Sequence, residues 1–299
     1  MRYKGINSLL LLHASKDKEF YLLATGLIAG LHDGGKIIGA EEALYSIIQA
    51  EGPKGLLWFV NQFPKTGGIS EGAHSAYWRI LLKELNRYDA DYSHWFSFTI
   101  PYLGEFILPR YPDIRREFQK LFSTKPNYKK ALDNLLKSFD SQTRFNAACI
   151  LISCFPESEC LAAEIVVAAT SKAFEKHEWN RFCLRLSLGK EVLDHIASRL
   201  DSFLDVPKTF ALSLLYHNGF FLSTDQYEKL IIGLLKEGSF DFGNSRTDDN
   251  LKPIMGEEES YKLLLKIITE DSSYSEKAAE RLFEFHQDKL SSEHRAKCL

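Results

Sequence analysis

The feature that most constrains this chain is the three-and-four spacing of its apolar residues. Leu132, Leu135, Leu136 and Phe139 fall on one helical stripe. Tyr227, Leu230, Ile231, Leu234 and Leu235 form a second, and Tyr261, Leu264, Leu265 and Ile268 a third. Side chains three and four positions apart share one face of an α-helix, and that face must be buried against a neighbour. Alternation at period two, the mark of a half-buried strand, does not recur. Asn218–Gly219 stands between helical patterns, not between two strand-like runs. The spacing predicts an all-α chain.

Turn residues divide the 299 positions into three stretches. In residues 1–70 a helix is predicted over Lys18–His32, stopped by Asp33-Gly34-Gly35, since glycine can take the left-handed conformation at a helix end. A second begins near Ala40, with Glu41 and Glu42 placed to suit the positive end of its dipole. It closes at Glu51-Gly52-Pro53, and a short apolar element follows over Gly55–Phe63. Residues 71–112 are rich in aromatic side chains and are broken by prolines 101, 109 and 112. Residues 113–299 read as successive helices joined by short turns, with one longer loop over Ser239–Pro253.

Lysine and arginine total 37 against 40 aspartates and glutamates, a net charge of −3. That balance disfavours a nucleic-acid binder, which normally presents a strong positive field. With 45% apolar and 26% charged residues, the composition is that of an ordinary soluble globular protein. Arg2 and Lys4 precede only a short leucine run, Leu9–Leu12, before charged residues intervene, which does not make a signal peptide. The uncharged stretch Phe20–Leu31 is shorter than the roughly 20 residues that span a bilayer, so no membrane segment is expected. Cys149, Cys154, Cys160, Cys183 and Cys298 are odd in number and contain no CxxC pair. They are read as buried free thiols of a reduced, cytoplasmic protein. No basic neighbour or helix N-terminus is evident to lower the pKa of Cys154 or Cys160.

A self-similarity runs through the third stretch. Asp140-Ser-Gln-Thr143-Arg144-Phe-Asn-Ala147, Asp205-Val-Pro-Lys208-Thr209-Phe-Ala-Leu212 and Asp271-Ser-Ser-Tyr274-Ser275-Glu-Lys-Ala278 each set an aspartate before a helix whose eighth position is small or apolar. The carboxylate would cap unpaired backbone N–H groups, and the apolar residue would let the helix pack on its neighbour. The first of these resembles the Asp-x-x-Val-Arg-x-x-Ala signature of HEAT repeats, with Thr143 in the valine place and Asp140, Arg144 and Ala147 matching. The other two lack the arginine, and the aspartates stand about 65 residues apart, where one HEAT unit takes about 40–47. The resemblance covers residues 113–299. It implies a helical-hairpin array, a HEAT-like α-solenoid or α-α superhelix behind a helical N-terminal segment, with a surface that holds other macromolecules.

Motifs for chemistry do not assemble. Gly30-Leu-His-Asp-Gly-Gly35-Lys36 spells a phosphate-loop fragment. Ile37 stands where a hydroxyl should ligate magnesium, however, and a helix precedes it instead of a strand. The nine histidines form no His-x-x-x-His pair or zinc box. No Gly-x-Ser-x-Gly elbow occurs. Glu257, Glu258 and Glu259 read as the acidic first turn of a helix. Arg110, Arg115, Arg116, Lys120, Lys125, Lys129 and Lys130 follow the aromatic stretch, but Asp113, Glu117 and Asp133 dilute them and a solvated helix face is the simpler reading.

The function these features support is a non-enzymatic, intracellular protein-binding scaffold without cofactor or metal, its oligomeric state open. Tyr88, Tyr92, Trp95 and Tyr102 are the candidate partner contacts, since exposed aromatics often anchor interfaces, with Arg115 and Arg116 beside them. Two alternatives stand. One is a nucleic-acid-binding HEAT-like protein related to DNA repair, because some HEAT-like proteins remove alkylated bases with a Trp, Asp and Arg set that Trp179, Asp194 and Arg181 would supply here. The other is a regulatory or immunity protein that neutralises its partner.

Overall fold

A computed structural model of the chain describes residues 24, 26–28, 39–61, 71–102, 111–173, 186–237, 257–270 and 275–286. Every regular element among them is helical, and none is a strand. The chain divides into two compact units, Met1–Ile165 and Val166–Leu299. Trp179, Arg181, Cys183, Cys298, Asp271, the Gly30–Ile37 motif and the Ser239–Pro253 loop lie outside the described residues, as does most of the predicted Lys18–His32 helix.

In the first unit, α1 (Ala40–Glu51) buries Ala40, Ala43, Leu44, Ile47 and Ile48, one continuous stripe. Gly52, at φ 63°, turns the chain into α2 (Pro53–Val60), whose first position is proline, where the missing N–H costs nothing. The two helices pack closely at Gly55. A Cβ there would stand 2.7 Å from the Ile48 carbonyl oxygen and 2.9 Å from Glu51 Cβ, so the contact requires glycine.

The long helix α3 (Glu71–Arg87) is the centre of this unit. It packs against α1, α2 and α5 (Pro112–Thr124), and its middle, from Ser75 to Leu85, is buried on nearly every side. Trp78 meets Phe118 of α5 at 5.1 Å and Phe96 of α4 (Ser93–Thr99) at 6.3 Å. Phe96 in turn touches Phe122 and Tyr128. Arg79 ties three helices together, reaching Asp113 at 2.6 Å and Glu41 at 3.5 Å. Such geometry orients the helices more than it adds free energy, because the pairs are partly wet.

A 3-10 turn over Ile100–Tyr102 follows α4. Both α5 and α6 (Pro126–Leu135) begin with proline, and α7 (Ser141–Cys154) is capped by Asp140, which accepts a hydrogen bond from the Thr143 backbone N–H at 2.7 Å. The predicted cap at Asp140 is therefore present. Helix α7 is buried from Phe145 to Cys154, and Asn146 donates to the Ile100 carbonyl at 2.9 Å, satisfying a polar group inside apolar surroundings. Helix α8 (Cys160–Ala173) carries the boundary between the units.

In the second unit, α9 (Lys190–Ser198) buries Val192, Leu193 and Ile196 and packs on α10 (Asp205–His217), which packs on α11 (Thr224–Glu237). Leu230 and Ile231 of α11 are buried, as the second stripe predicts. Helix α12 (Glu257–Thr269) starts with its three glutamates and packs on α13 (Ser275–His286). Ala147, Leu212 and Ala278, the eighth positions of the three similar segments, are all buried.

Four sequence expectations need correction. Phe139 is fully exposed, because α6 ends at Leu135 and the chain turns before the stripe can continue. Asp205 does not cap α10. Leu204 holds that position and offers no side-chain cap, and Asp205 is the first helical residue, where its charge suits the dipole. The inward face of α12 is centred on Leu264 and Ile267, with Tyr261, Leu265 and Ile268 half-buried at its edges. Cys154 does have a basic neighbour, Arg115, and Cys160 does begin a helix. Burial nevertheless dominates at Cys154 and pushes its thiol pKa well up.

Candidate functional site

The five-residue connection from Tyr88 to Tyr92 and the start of α4 hold three of the four candidate aromatic residues. Helix α3 ends at Arg87 because the segment Asp89-Ala90-Asp91 favours a turn. Asp91 then accepts a hydrogen bond from the Ser93 backbone N–H at 2.8 Å, which opens α4. That bond holds the Asp91 carboxyl below its ordinary 3.8, with Asn127 and Lys125 adding smaller effects in the same direction.

Side chains 36 to 40 residues further along pin this connection from outside. Lys125, between α5 and α6, donates to the Leu85 carbonyl at 2.5 Å, to the Asn86 carbonyl at 3.4 Å and to the Tyr88 carbonyl. These are the carbonyls that a helix end leaves without partners, and an ammonium is well suited to them. Burial lowers the Lys125 pKa, opposed by Asp89 and Asp91. Asn127 donates to Asp91 at 2.7 Å, and the Tyr92 backbone N–H donates to the Tyr128 hydroxyl at 2.9 Å. Tyr128 is fully buried, which raises its pKa to about 12.

A cleft of about 160 Å³ opens beside the connection, lined by Asp89, Asp91, Lys125, Pro126, Asn127 and Tyr128. Two carboxylates face one ammonium that is already committed to backbone carbonyls, so the cleft is net acidic. Next to it the rings form a ladder. Tyr88 meets Tyr92 edge-on at 5.7 Å, and Tyr92 stacks on Trp95 at 4.5 Å with planes 8° apart. All three rings are half-buried. Each therefore has a packed side that fixes its position and a wet side that remains available. On α4, His94 and the exposed Phe98 make a second edge contact at 4.8 Å.

The structure thus brings Tyr88, Tyr92 and Trp95 together. Tyr102 lies in the 3-10 turn, and its side chain is outside the described residues. Arg115 and Arg116 sit on α5, where Arg115 acts electrostatically on Cys154 and Arg116 donates to the Pro112 carbonyl at 3.3 Å. Of the other cations in that stretch, Lys129 pairs with Glu159 at 2.8 Å and Asp133 at 3.3 Å. Lys125 and Lys129 are therefore structural cations. Asp194 is exposed on α9.

Two participants escaped sequence reasoning. Lys125 read as one more surface charge, since nothing local tells a lysine after a helix that the carbonyls of another helix await it. Glu84 is the other, a carboxylate with no exposed surface at all. Its signal was present in the spacing, because Glu84 falls seven positions after Tyr77 and three after Leu81 on the buried face of α3.

Among the described residues, no three His, Cys, Asp or Glu side chains cluster as a metal would require, and no helix is long and apolar enough to cross a membrane. The arrangement is suited to contact: rigid rings, a polar cleft and a backbone held by hydrogen bonds from distant side chains. Compared with known proteins, the chain matches no family model, no curated protein and no solved structure.

Proposed function

We propose that this chain is a binding scaffold built of HEAT-like helical pairs, and that it holds a protein partner at the surface formed by Tyr88, Tyr92 and Trp95. The observation that carries the reading is the half-exposed Tyr92–Trp95 stack beside an acidic cleft. Aromatic rings that are already ordered lose little conformational freedom when a partner covers them, which is why such residues dominate interface energetics. The packing of chain-adjacent helices within residues 113–299, α9 on α10 and α12 on α13, supports the repeat reading. Lys125 and Lys129 are turned to internal partners, so this basic stretch offers nucleic acid less than its sequence suggests.

The test is affinity purification from the native cell with wild type and with the Tyr92→Ala/Trp95→Ala double variant, the bound proteins being identified by mass spectrometry. A partner retained by wild type and lost by the variant is expected, with far-UV circular dichroism and the urea midpoint of the variant confirming its fold. Recovery of the same proteins by both forms refutes the assignment of this surface.

A further inference from the structure

Glu84 is the one carboxylate recorded as fully buried among the described residues, and neither of its oxygens makes a hydrogen bond of good geometry. Three groups face it from the elements around it. Tyr45 approaches from α1, Arg87 from the next turn of α3 with Nη1 at 3.6 Å, and Tyr88 from just past the helix end. Arg87 is divided between claims, since it also lies 5.5 Å from the Tyr88 ring centre and donates weakly to the Gln49 carbonyl at 3.5 Å. Lys83 stands over the Tyr45 ring at 5.2 Å. On the α2 side the neighbour is Gly52, which leaves room for the Tyr88 hydroxyl 3.7 Å from where a Cβ would be.

We propose that Glu84 takes up and releases a proton within the folded protein, and that this exchange sets the position of Tyr88 and, through the ring ladder, the presentation of Trp95. The chemistry is specific to a carboxyl so placed. As an anion it only accepts hydrogen bonds, and it draws the O–H groups of Tyr45 and Tyr88 and the N–H groups of Arg87 inward. As an acid it carries a donor of its own and releases them. Tyr88 lies four positions along from Glu84, so its ring responds directly. Its edge contact with Tyr92 and the flat Tyr92–Trp95 stack pass the displacement to the half-exposed indole.

The electrostatics agree with this placement. Burial raises the Glu84 pKa above its ordinary 4.5, while Tyr88, Arg87 and Tyr45 oppose it, in that order. The same carboxylate, after burial itself, helps push Tyr88 up to about 12. The device would regulate the surface assigned above, and so rests on that reading for its biological meaning. Its test uses the purified chain alone, so a failure here and a failure to find a partner are told apart.

The experiment is a fluorine NMR titration of protein labelled with 5-fluorotryptophan, with the Trp95 resonance assigned by its loss in Trp95→Phe. As pH falls from about 8 towards the ordinary carboxylate range, the Trp95 resonance should follow a single-proton curve with its midpoint above 4.5. Glu84→Gln should abolish that curve. Tyr88→Phe keeps the ring but removes the hydroxyl through which the carboxyl moves it, so the Trp95 curve should flatten although Glu84 is still present. A flat wild-type titration, or a curve that survives either Glu84→Gln or Tyr88→Phe, overturns the proposal. The Tyr88→Phe result decides it even if Glu84→Gln does not fold.

Discussion

Replacing Gly233 by alanine tests how closely α10 and α11 approach. A Cβ at this position would lie 2.1 Å from Thr209 Oγ1, 2.8 Å from Cγ2 and 3.0 Å from Cβ, whereas ordinary contact begins near 3.4 Å. Rotating the threonine cannot relieve all three distances, because its own Cβ is among them. Thr209 Oγ1 is further held by a hydrogen bond to the Asp205 carbonyl at 3.0 Å. On an exposed helix the substitution would stabilise by about 1 kcal/mol through helix propensity. Overpacking of a tight contact costs about 1–3 kcal/mol, and a 2.1 Å approach belongs at the upper end. The expected net effect is a loss of about 2 kcal/mol, or about 1 M in urea midpoint at a typical slope of about 2 kcal/mol/M. Far-UV circular dichroism during urea unfolding measures it. Thr209→Ala removes two of the three offending atoms, so the double variant should recover most of the loss, giving a coupling of about 2 kcal/mol in a double-mutant cycle. If Gly233→Ala raises the midpoint, or the two substitutions simply add, the helices are not in this contact.

Other outcomes follow from the same structure. Asp140→Ala should lower the urea midpoint and Asp140→Asn should restore most of it, since asparagine caps a helix about as well. Thr143 holds the folded-state Asp140 pKa below 3.8, so the advantage of wild type over Asp140→Ala should be full above that pH and fade as pH falls through the lowered value. Lys125→Met leaves the final carbonyls of α3 without their ammonium. It should cost about 1 kcal/mol after allowance for partial exposure, and should speed amide exchange across Tyr88–Tyr92; unchanged exchange would contradict the pinning. Glu84 binds its proton more tightly folded than unfolded, so stability should fall as pH rises from 4.5 through the folded-state midpoint. Urea midpoints measured across that window should lose this slope in Glu84→Gln, and a slope that persists would place its origin elsewhere.

How much of this was legible beforehand depends on the range over which each residue finds its partner. The all-helical class could be read from spacing, because a helix repeats every few residues and its buried stripe must show in any short window. The Asp140 cap was legible for the same reason, its partner Thr143 being three positions away. Phe139 misled because a stripe continues on paper past the point where the backbone has already turned. At the candidate site, the sequence marked Tyr88, Tyr92 and Trp95 as aromatic and close together. It could not tell the edge contact from the flat stack, since both obey the same spacing.

Helix identity, proline starts and glycine stops were thus determined by the sequence alone, through interactions that act within a turn or two. Tertiary structure decided what Lys125 neutralises, which tyrosine hydroxyl receives the Tyr92 N–H and that Glu84 is sealed from water. Those partners stand 36 and 40 residues apart or on separate helices, and a charge's free energy depends on the solvent and dipoles that packing leaves around it.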